Sequence, residues 1–204
     1  MANRSYLYAS NFTTGATSPE QRNTTGISEW NYDIPLAYKI LLSGNPMATK
    51  SSIWIEAGEI AIVGDYSLGV RRLSEFLDKI TQPGFLPLKH KALEFLDQNR
   101  RTHFVLECGE IFDMGDDELE LLNSQLLGEI RNLEPQIAQA LQAYSSPIEP
   151  PAPVVSQAPS WFAKIFRTQP AAPAVADLAD PLERFYELGL GNWSNILYFD
   201  LRGV

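Results

Sequence analysis

The strongest constraint on the fold of this chain is a long helical repeat of apolar residues in its second half. Because an α-helix has 3.6 residues per turn, apolar residues at steps of three or four lie on one face, which can pack against a core. Asp116 or Asp117 could cap such a helix, and Pro135 should kink it or split it in two. The repeat consists of Leu119, Leu122, Leu126, Ile130, Leu133, Ile137 and Leu141.

Alternating apolar residues predict β-strands elsewhere in the chain. Alternation on both sides of Ala57-Gly58 predicts a β-hairpin, and residues 102–112 and 195–201 show the same period. We therefore expect an α+β fold with a mixed, mostly antiparallel sheet of about five strands and helices packed against it. The other predicted elements are a strand at 5–9, a polar loop at 10–28, a helix from the N-cap Asp33 to Gly44, and helices at 67–80, 88–99 and 181–190.

Residues 146–180 differ in composition from the rest. Seven of the 14 prolines lie between Pro147 and Pro173, interleaved with Ala, Val and Ser. Such a composition is typical of an extended, flexible segment. The residues after it are too few to bury a core of their own. We therefore expect one domain over residues 1–204, with 146–180 as a flexible Pro-rich insertion.

The negative charge of the chain is concentrated in residues 103–149. This segment holds ten carboxylates and one basic residue, Arg131, so its net charge equals the −9 of the whole chain. A field of one sign on an otherwise balanced protein favours a basic partner or a cation. The same acidic balance argues against nucleic acid as a partner, because phosphates would be repelled.

Several classes of protein are disfavoured by what the sequence lacks. A single cysteine, Cys108, allows no disulfide within the chain and no cysteine zinc cluster. The N-terminus has no apolar signal region, and no apolar run approaches the ~18 residues of a membrane span. We expect a cytoplasmic protein without stable membrane insertion. The common nucleotide-binding and hydrolase motifs are missing, so we expect no cofactor and favour a protein that is not an enzyme.

The acidic residues at the end of the strand at 102–112 and at the start of the following helix are the first candidate site. Glu107, Glu110, Asp113, Asp116 and Asp117 could form a surface that binds a basic protein. Helix capping is an alternative for Asp116 and Asp117, since acidic groups in a first turn oppose the helix dipole. A divalent metal is a further alternative, although the spacing matches no EF-hand.

Aromatic residues are the second candidate group, because tryptophan often dominates binding energy at interfaces. Trp30 could anchor a partner beside the acidic surface, although core packing is the more common role. Trp161 and Phe162 begin an apolar and basic island, residues 160–167, inside the Pro-rich segment. This island could dock on the acidic surface of the chain itself, enter a partner groove as a short helix, or touch a membrane.

The histidines and the cysteine favour no catalytic centre. His90 lies between two lysines, and His103 is about 13 Å along a strand from Glu107, too far for a direct pair. Cys108 shares the apolar parity of its strand, which is typical of a buried structural cysteine.

Two stretches of sequence resemble a family of uncharacterised bacterial proteins. They are the opening MANRSYLY and residues 28–36, SEWNYDIPL, and the resemblance extends over about the first 80 residues through Ser51-Ser-Ile-Trp and Gly64-Asp-Tyr. The resemblance implies no activity and no catalytic residues. By size, acidity and lack of motifs, the chain is also similar in type to bacterial immunity proteins.

Three functional hypotheses follow. The leading one is a non-catalytic cytoplasmic protein of the immunity or antitoxin type that occludes a basic protein partner. The alternative is a metal-assisted hydrolase or transferase that uses the clustered carboxylates with His103. The third is a membrane-associated or scaffolding role through Trp161 and the residues that follow it.

Overall fold

A computed structural model describes residues 3–12, 24–82, 84–145, 183–191 and 193–194. Five strands form one sheet in the order β2-β1-β5-β4-β3, and every neighbouring pair is antiparallel. This sheet, with helices packed on it, confirms the expected α+β class. The strands are β1 (Arg4–Ser10), β2 (Thr24–Asn31), β3 (Met47–Thr49), β4 (Ala61–Asp65) and β5 (His103–Glu107).

Helices occupy most of the remaining described chain. Pro135 lies in the first turn of a helix, where its missing N–H is not needed, so the long apolar repeat is split into two helices as expected. No helix within the described ranges is long and apolar enough to span a membrane. The helices are α1 (Leu36–Leu42), α2 (Tyr66–Leu77), α3 (Phe85–Gln98), α4 (Gly109–Phe112), α5 (Leu119–Arg131), α6 (Glu134–Ser145) and α7 (Glu183–Tyr186).

The two faces of the sheet carry different side chains. Leu7, Phe104 and Leu106 face the helices and belong to the principal core. The opposite face holds a smaller cluster that includes Tyr6 and Tyr8 of β1. Both faces of the central strand β5 are therefore buried, which excludes water from the carboxylate at its end.

The predicted hairpin around Ala57-Gly58 is wrong in its first arm. Residues 55–57 form one turn of 3-10 helix, and β4 pairs instead with the short strand β3. The polar loop expected up to residue 28 is also wrong, since β2 begins at Thr24. The sequence of β2 has few apolar residues because this strand lies at the edge of the sheet.

Three helix starts differ from the sequence predictions. Pro35, not Asp33, occupies the N-cap position of α1, and α3 begins at Phe85, three residues earlier than expected. Glu118 occupies the N-cap position of α5 without a side-chain cap bond, so neither Asp116 nor Asp117 caps this helix. The strand predicted at 195–201 and the insertion at 146–180 lie outside the described residues.

Candidate functional site

The predicted acidic surface divides into an inward and an outward group. Glu107 ends β5 and is 1% exposed, and Glu110 in α4 is half-buried. Asp113, Asp116 and Asp117 are exposed. α4 begins at Gly109, two residues after the end of β5, and the carboxylates that follow this helix are exposed.

Glu107 accepts hydrogen bonds from two consecutive serines. Its Oε2 accepts from the Ser51 hydroxyl at 2.6 Å, and its Oε1 accepts from the Ser52 backbone N–H and hydroxyl, both at 2.7 Å. Burial raises the pKa of the Glu107 carboxyl, and these hydrogen bonds oppose the rise. The expectation that Glu107 faces solvent in an acidic surface is therefore wrong, because its carboxyl holds residues 51–52 against the sheet.

The same contacts organise the segment that follows β3. The Ser51 hydroxyl oxygen accepts from the backbone N–H groups of Ile53 and Trp54, at 3.1 and 2.7 Å. The Trp54 ring lies on Gly109, where a Cβ would be only 2.5 Å from the indole Nε1. Glu107 thus connects the end of the central strand to a turn that covers the start of α4.

Glu110 is held by the first strand. Its Oε1 accepts from the Tyr6 hydroxyl at 2.8 Å, and its Oε2 accepts from the backbone N–H of Arg4 at 3.0 Å. Burial, followed by this bond to Glu110, raises the pKa of Tyr6. Glu110 therefore joins α4 to β1 and has little freedom to meet a partner.

Tyr8 is a buried polar group that sequence reasoning did not single out. It is 3% exposed, and its hydroxyl has no hydrogen-bond partner in the part of the chain that the structure describes. Burial and the nearby Glu107 raise its pKa. The sequence does contain a signal for this burial. Tyr6 and Tyr8 lie on one face of β1, and the neighbouring strand β5 has apolar residues on both of its faces. Apolar residues on both faces indicate a sheet that is covered on both sides.

Asp113, Asp116 and Asp117 remain as an exposed acidic segment, defined here as residues 113–118. No described lysine or arginine forms a salt bridge with any of these three aspartates. Met114, within the segment, is 54% exposed, and Leu121, just after it, is 49% exposed. Free carboxylates beside exposed apolar side chains are the composition of a polar and apolar binding surface.

The aromatic candidates do not join this segment. Trp30 is half-buried and packs against the principal core, which favours a structural role. Trp161 and Phe162 lie outside the described residues, so their role in binding stays a prediction.

Within the described ranges, His103 and the carboxylates that the metal-assisted hypothesis requires do not form one site. His103 begins β5 and lies opposite Asp65 of β4, whereas Glu107 ends the same strand. Among the described residues, no group of three or more His, Cys, Asp or Glu side chains could hold a metal ion. Cys108 is buried, and burial raises its pKa well above the usual value.

Comparisons with known proteins give one match. A family model described as a domain of unknown function, DUF7822, matches residues 11–147. This confirms the expectation of a family without an assigned activity, although the opening octapeptide lies outside the match. Neither the curated proteins nor the solved structures include a match to the chain.

Proposed function

The chain belongs to the DUF7822 family, and we propose that it is a non-catalytic binding protein that occludes a basic partner through its acidic segment 113–118. The observation that carries the proposal is that Asp113, Asp116 and Asp117 are exposed and form no salt bridge with any described lysine or arginine. Their field is therefore available to an outside cation.

The expected mechanism combines steering with apolar contact. Three uncompensated carboxylates raise the encounter rate with a basic surface, and this effect weakens as salt screens the charges. Exposed Met114 and Leu121 supply apolar area that a partner can desolvate. In this proposal the chain acts in the cytoplasm as an immunity or antitoxin protein does, by covering a basic site on its partner.

Neutralising the exposed carboxylates tests the proposal. The full chain serves as bait to capture its partner from the native organism, and association is then followed by stopped flow. For the triple variant Asp113→Asn, Asp116→Asn, Asp117→Asn we expect an association rate at low salt about 10-fold below that of the unaltered chain. The rate for the variant should also depend much less on salt.

The matched control removes the same number of charges elsewhere. Glu56, Glu94 and Asp97 are exposed and lie outside the acidic segment. Their triple neutralisation changes net charge equally, so an equal loss of rate would show that net charge alone steers binding. That result, or a rate in the unaltered chain that is the same at low and high salt, would remove the acidic segment as the recognition surface.

A further inference from the structure

A cleft of about 240 Å³ lies where α1, α2, α5 and α6 meet. Its volume is below the ~300–1,000 Å³ that is typical of drug-sized ligand sites, so any ligand must be small. The floor is apolar, because Ile40, Phe76 and Ile130 are buried side chains that line it. Leu133, just before α6, and Ile137 in α6 extend this floor.

Three basic side chains line the rim of the cleft. They are Arg72, Lys79 and Arg131, and none of them forms a salt bridge with a residue that the structure describes. Arg131 is the one basic residue of the acidic region 103–149.

Both arginines are held by the loop between α1 and β3. Arg72 Nη1 donates to the carbonyl oxygen of Ser43 at 2.7 Å, and Arg131 Nη2 donates to that of Pro46 at 3.2 Å. Asn45 between them has φ of 53°, in the left-handed region that turns the loop. Each guanidinium has five N–H donors, so most remain for a ligand, and the tethers reduce the entropy lost on binding.

Two acidic side chains, Glu75 and Glu134, also line the cleft. The three basic and two acidic groups that line the cleft leave one net positive charge, which favours a ligand with a single negative charge. Arg71, outside the cleft, forms a salt bridge with Glu75 at 3.9 Å, but this pair is long and exposed and contributes little. A carboxylate fits better than a doubly charged phosphate, and its planar oxygens match the fork of an arginine.

We propose that this cleft binds a small organic monocarboxylate. The carboxylate pairs with Arg72 and Arg131, Lys79 adds positive charge, and the apolar chain of the ligand lies on Phe76 and Ile130. The site is separate from the acidic segment 113–118 and of opposite charge, so it does not depend on the proposed function.

Calorimetric titration of the full chain with hexanoate tests this site, with acetate and inorganic phosphate as comparison probes. We expect hexanoate to bind most tightly, because only hexanoate offers both a carboxylate and an apolar chain. Arg72→Gln and Arg131→Gln should each weaken hexanoate binding by about 10-fold or more. Arg100→Gln is the matched control: Arg100 is exposed and does not line the cleft, so its loss should change binding less than about 2-fold.

Two further variants leave the hydrogen bonds of Arg72 and Arg131 to the loop between α1 and β3 intact, so they test the site even if loss of either bond unfolds the protein. Lys79 is exposed, and Lys79→Gln should weaken hexanoate binding by about 3-fold. Glu134→Gln removes a repelling carboxylate and should tighten binding by a similar factor. Absence of hexanoate binding at tens of millimolar, tighter binding of phosphate than of hexanoate, or an equal loss in Arg100→Gln and Arg72→Gln would overturn the assignment.

Discussion

Replacing Glu107 with alanine is expected to lower the free energy of unfolding by about 2–4 kcal/mol. The substitution leaves the Ser52 backbone N–H and the hydroxyls of Ser51 and Ser52 without their buried acceptor, and it opens a cavity at the end of β5. Denaturant unfolding of the two proteins measures the difference. Asp113→Ala, six residues later but exposed, should change stability by less than about 0.5 kcal/mol.

The contribution of Glu107 should also depend on pH in a defined direction. Burial raises the pKa of this carboxyl in the folded state above its ordinary value of 4.5. The folded protein therefore retains the proton more readily than the unfolded chain, so the contribution is full below the unfolded pKa and is lost as pH rises through the folded pKa. The stability difference between the unaltered chain and Glu107→Ala should be larger at about pH 4 than at about pH 8. The opposite trend would mean that the hydrogen bonds from the serines outweigh burial.

Gly69→Ala is the second substitution for which we expect a large effect. Gly69 lies in α2 where this helix crosses α1, and a Cβ at this position would be 2.0 Å from the carbonyl oxygen of Leu41. A backbone atom cannot rotate away as a side chain can, so the two helices must separate. We expect a net loss of about 2–3 kcal/mol in thermal or denaturant unfolding, even though alanine favours a helix by about 1 kcal/mol over glycine.

Gly128→Ala is the control for that prediction. Gly128 also lies inside a helix, α5, but a Cβ there would meet nothing within 4 Å. Only helix propensity and the entropy of the unfolded chain then act, so alanine should stabilise the protein by about 0.5–1 kcal/mol. If Gly69→Ala and Gly128→Ala destabilise the protein equally, close packing of α1 against α2 is not the cause of the loss at Gly69.

The sequence predicted most of the described architecture where a local period was strong. The repeat from Leu119 to Leu141 and its break at Pro135 correspond to α5 and α6. The strand predicted at 102–112 starts within one residue of β5, but its second half is wrong, since β5 ends at Glu107 and residues 109–112 form α4. Predictions failed where long-range contacts override local pattern. Residues 52–56 alternate like a strand, but Glu107, more than 50 residues away, holds their first residue in a serine-based turn.

For the candidate site, too, the local sequence predicted part of the arrangement, and contacts between distant residues determined the rest. The concentration of carboxylates in residues 103–149 was visible in the sequence, whereas the exposure of Met114 beside them was not. Sequence could not separate Glu107 and Glu110 from Asp113, since all are acidic residues within a few positions. The separation came from Ser51 and Ser52, which donate to Glu107, and from β1, which supplies donors to Glu110.

Local period and charge distribution by themselves established an α+β chain with a single acidic region. Helix and strand periods can be read from the sequence because they depend only on residues a few positions apart, and the charge of a region follows from its composition. Only the tertiary structure decided which carboxylates are buried, which strands lie at the edges, and that Arg72 and Arg131 meet at one cleft. Burial and convergence depend on strands and helices distant in sequence, and no local pattern records which of them will pack together.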